Sequence, residues 1–163
     1  MSHTVHPYSH RLVTLRGWKS RWFAQGKKYT DFLKNDILIR EYLEKELRGK
    51  YVSSIEFERN QKSTKLIIKT SRPGFIIGKQ GEGVTELTKK VARQMKRNNI
   101  ALAPDFSIDV IEIKNPDADA MLVAQQVAEG LERRLPFRRV MKQMLDKVMQ
   151  AHGVKGARIV LSG

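Results

Sequence analysis

Apolar positions recur at three-and-four spacing at Ile39, Tyr42, Leu43 and Leu47, which predicts one face of an amphipathic helix from Asp31 to Gly49. Alternation then takes over. Ile55 and Phe57 interleave with Ser54, Glu56 and Glu58, Asn60 to Ser63 supplies a turn, and Leu66 and Ile68 interleave with Lys65, Ile67 and Lys69, predicting two antiparallel strands. After Arg72-Pro73-Gly74 come Phe75, Ile76 and Ile77, the tetrapeptide Gly78-Lys79-Gln80-Gly81, and a helical stripe of Val84, Leu87, Val91 and Met95. Phe106, Ile108 and Val110 alternate as a third strand. A second unit begins near Asn115, where Asn ahead of Pro116 predicts a helix N-cap, and Leu122, Val123, Val127 and Leu131 form the apolar face of that helix. Leu135-Pro136 breaks it and Pro136 opens another, whose Phe137, Val140, Met141, Met144, Leu145 and Val148 predict a buried arc before Gly153. Ala157 to Leu161 reads as a strand. Residues 1–30 lack sustained periodicity and read as a docking arm, so the expected organisation is an arm (1–30), an α+β domain (31–114) and a second α/β domain (115–163) that looks incomplete.

Charge changes the picture from fold to partner. The 163 residues hold 31 Lys and Arg against 17 Asp and Glu, a net charge of +14, and such self-repulsion makes a polyanion the default partner. The excess is zoned. Residues 1–30 carry six basic and no acidic residues, 72–97 seven and two, and 133–163 eight and one, whereas 98–132 reverses sign with one basic and seven acidic residues. Alternating zones describe an electrostatic footprint on a folded body more than a basic tail. No run approaches the ~20 apolar residues of a membrane helix, and no secretory signal pattern opens the chain, so a cytoplasmic protein with no membrane partner is expected.

The motif with chemical content is Gly78-Lys79-Gln80-Gly81. Glycines at both ends let the backbone approach a phosphodiester, the following helix N-terminus offers free N–H groups, and Lys79 adds charge at the closest point. A lone GxxG is common, and its null is an ordinary turn. The order helix-strand-strand-helix-helix-strand around it resembles a type II KH domain, in which that loop clamps about four nucleotides of backbone beside an apolar groove. Ile76 and Ile77 are candidates for the groove, with core packing the alternative for at least one. On the helix after Pro136, Arg138, Arg139 and Lys142 share a ~100° arc opposite Phe137, Val140, Met144 and Val148. Arg133 and Arg134 lie just before it. Arg72 flanks the GxxG loop, and Arg11, Lys19, Arg21 and Trp22 are the arm's RNA-binding candidates, with Arg16, Trp18 and Phe23 among them.

Taken together, Arg72 to Glu82, Trp22-Phe23-Ala24, Arg40 to Leu47 and Leu131 to Lys142 closely resemble the bacterial-type small-subunit ribosomal protein S-three family, almost end to end. The resemblance implies a structural role in the head of the small subunit, binding of 16S-type ribosomal RNA, and a place at the messenger RNA entry channel. There, Arg138, Arg139 and Lys142 would border incoming messenger and assist its unwinding. It supplies ribosomal proteins S-ten and S-fourteen as neighbours, and the acid-rich stretch 98–132 reads as complementary to such basic partners. The alternative is a free-standing KH regulator or RNA-processing factor, against which the acid-free arm argues.

Enzymatic readings lack residues. Three residues separate Gly74 from Gly78 where a P-loop needs four, and Gln80 stands where Ser or Thr would hold magnesium. There is no cysteine, so thiolate metal sites and a Cys nucleophile are excluded. His3, His6 and His10 have no carboxylate within residues 1–30 to complete a metal site, and His152 beside Gly153 reads as a helix C-terminal cation. No cofactor is expected.

Overall fold

The computed structural model describes residues 5–60, 63–98 and 105–163. Its elements run α1 (Pro7–His10), β1 (Ser20–Arg21), α2 (Lys27–Glu46), β2 (Val52–Arg59), β3 (Ser63–Thr70), α3 (Gly74–Ile77), α4 (Glu82–Arg97), β4 (Asp105–Glu112), α5 (Ala120–Glu132) and α6 (Phe137–Gln150). From α2 to β4 this is the expected α+β order. The sheet order is β1-β2-β3-β4, with β2 and β3 antiparallel and both flanking pairs parallel.

One face of the sheet makes the core. Ile55 and Phe57 alternate on β2 and pair with Ile68 and Leu66 of β3, so all four point to it, and the stripes Ile39/Leu43 of α2 with Leu47 just past its end, and Leu87/Val91/Met95 of α4, close over them with Ile76 of α3. Each such buried side chain contributes about 1.5–3 kcal/mol of burial. The other face of the sheet is charged. Glu56 there accepts from Arg21 and Lys69, both at 2.5 Å, and Lys65 meets Asp109 at 2.7 Å.

Several local expectations change. The first long helix starts a turn before Asp31, at Lys27 after Gly26, and ends at Glu46 ahead of Gly49. Asn115 precedes only a 3₁₀ turn at Pro116–Ala118; the cap of α5 is Asp119, whose side chain accepts from Met121 N–H and Leu122 N–H. A carboxylate positioned to take two orphan N–H groups wins over an Asn whose side chain takes none. Residues 157–161 form no strand. They pair with no strand among the described residues, and apolar composition alone does not create a ladder. In the α6 arc, only Val140 is buried; Met141, Met144, Leu145 and Val148 are half-buried and Phe137 is exposed.

The arm is also more integrated than a detachable extension. Backbone N–H of Phe57 donates to Lys19 C=O at 2.8 Å, which seats β1 against β2. Trp22 Nε1–H donates at 2.7 Å to Asp36 on α2, a carboxylate that also takes the Arg59 guanidinium, with both members of that ion pair buried. His3 and the middle of the expected Asn60–Ser63 turn lie outside the described residues.

Candidate nucleic-acid interface

The GxxG loop joins α3 to α4 through a 3₁₀ turn at Lys79–Gly81. Gly78 takes φ +69°, and a Cβ there would stand 3.0 Å from Gly83 N, so the close approach of loop to helix requires its missing side chain. Gly83 is tighter: a Cβ would come within 2.3 Å of Ile76 C=O. Nothing but glycine fits where α4 crosses α3. Lys79 and Gln80 are exposed at the turn, directly ahead of the α4 N-terminus, where backbone N–H groups and the dipole favour an anion. Of the groove candidates, Ile76 is core and Ile77 is partly exposed.

Arg72 leads into the loop with its guanidinium 4.5 Å from the Tyr51 ring centroid and 5.8 Å from that of Phe75. Its backbone N–H donates to Thr70 Oγ1 at 3.1 Å, and that hydroxyl in turn donates to Tyr51 C=O at 3.0 Å. These bonds hold Tyr51 at φ +51°, a conformation a bulky residue keeps only when its surroundings impose it. The Tyr51 hydroxyl donates to Glu129 on α5, and that bond pushes its pKa above the ordinary tyrosine value.

On α6, Arg138, Arg139 and Lys142 are exposed together and form no ion pair among the described residues, while Val140 on the opposite side packs against Gly130 of α5. Arg134 is likewise exposed and unpaired among the described residues. Arg133 is tied to Glu129 one turn back. Within the arm, Arg11 and Lys19 stay exposed, Lys19 and Arg16 lying over the Tyr8 ring at 5.5 and 5.2 Å. Arg21 is engaged by Glu56 and Glu58, and Trp22 by Asp36. The structure therefore yields two separate surfaces of free cations and apolar groups, the GxxG loop with Arg72 and the α6 face, with the arm as a third.

The KH domain family matches residues 38–118. Over all 163 residues the chain is 39% identical to small ribosomal subunit protein uS3 of Clostridium botulinum (strain Alaska E43 / Type E3), covering 71% of that protein, and 40% identical to uS3 of Nitrosomonas europaea, covering 72%. Clostridium beijerinckii uS3 is 39% identical with 71% covered. The chain belongs to the uS3 family.

Most acids of the acidic zone are engaged within the chain itself. Asp109 pairs with Lys65, Asp117 with Lys147 at 2.9 Å, and Glu132 with Arg48 at 2.9 Å, while Asp119 caps α5. These acids bind the chain's own cations and helix end, leaving Asp105 and Glu112 without an ion pair among the described residues. Sequence reasoning also misses Gly83 and Tyr51. Gly83 carries a readable signal, a third glycine two residues beyond GxxG; Tyr51 carries none, since its partners come from residues 70, 72 and 129.

Proposed function

We propose that this uS3-family protein is a structural constituent of the small ribosomal subunit, cytoplasmic and not an enzyme, that anchors to ribosomal RNA through its basic surfaces and borders messenger RNA with α6. Family membership carries the coarse statement. The observation that supports the finer one is the α6 face: Arg138, Arg139 and Lys142 are exposed and unpaired on a helix whose opposite side is seated on α5. Cations free of carboxylates retain their full attraction for phosphate, and three on one rigid face suit a strand that must slide past them. Gly78, Lys79, Gln80 and Gly81 with Arg72 form the second RNA surface, and Arg11, Lys19, Arg133 and Arg134 belong to ribosomal RNA anchoring. Arg21 and Trp22 support that anchoring by fixing the arm against β2 and α2. Ribosomal proteins S-ten and S-fourteen are proposed as head neighbours, with Asp105 and Glu112 the acids left for them.

The test is a triple substitution, Arg138→Ala, Arg139→Ala and Lys142→Ala. The three residues are exposed, so stability should change by under about 0.5 kcal/mol each. The slope of log affinity for single-stranded RNA against log salt should fall by about 2, at ~0.7 per lost contact. Subunits carrying the triple variant should assemble and read unstructured messenger normally while slowing at hairpins. Normal speed through hairpins, or failed assembly, returns these cations to ribosomal RNA anchoring. Failure of the native protein to co-sediment with small subunits at high salt would favour the free-standing KH regulator instead.

A further inference from the structure

Phe75 is 64% exposed, although it directly precedes a buried Ile76 and lies on the short helix that leads into the loop proposed to hold RNA. Single exposed apolar residues are ordinary on a protein surface, so exposure alone means little. What sets this one apart is the rigid stack behind it. Arg72 lies against Phe75 and more closely against Tyr51, Tyr51 is pinned by Thr70 and Glu129, and Arg72 forms no ion pair among the described residues. The assembly is an exposed aromatic ring beside an uncompensated cation, three residues before Gly78. We infer that Phe75 is a stacking platform for one nucleobase of single-stranded RNA, with Arg72 and Tyr51 as its positioning residues. The inference rests on the reading of the GxxG loop as an RNA backbone clamp.

The chemistry fits a base better than an apolar side chain. A planar base gains from an exposed π-face, on which it can stack without displacing a packed neighbour. The free guanidinium adds cation–π support to the ring and attraction for the adjoining phosphate, which an aliphatic partner would not use. Every base presents a π-face, so the platform tolerates sequence, as a protein engaging varied RNA requires. Lys79, on the far side of Gly78, then meets the backbone one or two nucleotides away, so base and phosphate are held by different groups.

The experiment uses the full chain and a fluorescent eight-nucleotide single-stranded RNA, with an abasic site walked through it one position at a time. For the native protein, affinity should drop about tenfold when the missing base falls at one position and little elsewhere. In Phe75→Ala that position-specific drop should vanish, because intact and abasic RNA then bind alike; Phe75→Trp should restore it. Circular dichroism confirms that both variants fold. A drop that persists unchanged in Phe75→Ala overturns the platform, as does a Phe75→Ala loss that is equal for intact and abasic RNA at every position. Lys79→Asp with Gln80→Asp tests the clamp separately: it should weaken every RNA of the series while leaving the position-specific drop in place. If this double variant binds as tightly as the native protein, the clamp reading fails whatever the abasic series shows.

Discussion

The region from α2 to β4 and the region from residue 115 onward are read from sequence by the same rules, yet they fold to different completeness. In the first, eight-residue strands pair along their whole length and eleven buried residues form one cluster under two helices. In the second, α5 and α6 bury only Leu122, Val123, Val127 and Val140. Between α5 and the chain at 154–161 runs a groove of about 510 Å³ lined by Val123, Val127, Leu131, Val148, Ile159 and Leu161. Polar contacts also tie the second region to β2: Ser53 Oγ donates to Asp119 at 2.7 Å, and Gln125 Nε2 donates to Val52 C=O at 2.7 Å. Periodicity tells which side of an element is apolar. Whether that side is covered depends on which partners the rest of the chain supplies.

The largest effect should come from the link between the arm and the complete region. Asp36→Ala leaves the buried Arg59 guanidinium unpaired and the Trp22 N–H without its acceptor, and breaking a buried pair costs about 4 kcal/mol. Urea unfolding followed by circular dichroism measures it; a loss under about 1 kcal/mol would make the arm a detachable extension after all. Next comes a direct contrast. Leu66→Ala, at the centre of the sheet, should cost about 3 kcal/mol, whereas Val140→Ala, on the one buried position of α6, should cost about 1 kcal/mol. Equal losses would mean that the two regions share one core and that the contrast drawn here is false.

Gly83→Ala should cost about 2 kcal/mol, because its Cβ meets two backbone carbonyls that move only with the whole of α3. It should also weaken RNA binding by shifting the loop, which Leu66→Ala should not do once folded. The GxxG glycines themselves are poorer probes. Gly78→Asp meets Gly83 N and a positive φ at once, so it perturbs structure and charge together.

These sites divide by how their information is written in the chain. Helix stripes and strand alternation are local, so Ile39, Leu43, Leu47, Leu66, Ile68, Leu87, Val91 and Met95 are legible as core, and GxxG is legible as a loop. β1 is not: two residues carry no period, and only their pairing with Phe57 and Glu58 of β2 makes them a strand. The 157–161 segment errs in the opposite direction, reading as a strand without a neighbour. The α6 cations are legible as a face because helical geometry alone groups them, but freedom from carboxylates is a three-dimensional fact. So is the engagement of the acidic zone, whose Asp109, Glu132 and Asp117 are bound to Lys65, Arg48 and Lys147.

The smallest predicted effect tests the seam between the two regions. Tyr51 on the sheet side donates its hydroxyl to Glu129 of α5, and this bond, then burial, then the Glu129 charge raise its pKa above the ordinary value of about 10. Because the folded value is the higher one, the stabilisation is complete below pH ~10 and is lost as pH rises through the raised folded value, where the unfolded chain releases its proton first. Tyr51→Phe removes the bond but keeps the ring against Arg72, so native protein and variant should differ in urea midpoint at pH 8, and the gap should close progressively above pH 10. The absence of any gap at pH 8 would show that Tyr51 holds α5 through its ring and not its hydroxyl, and the seam would then be apolar, like the region it borders.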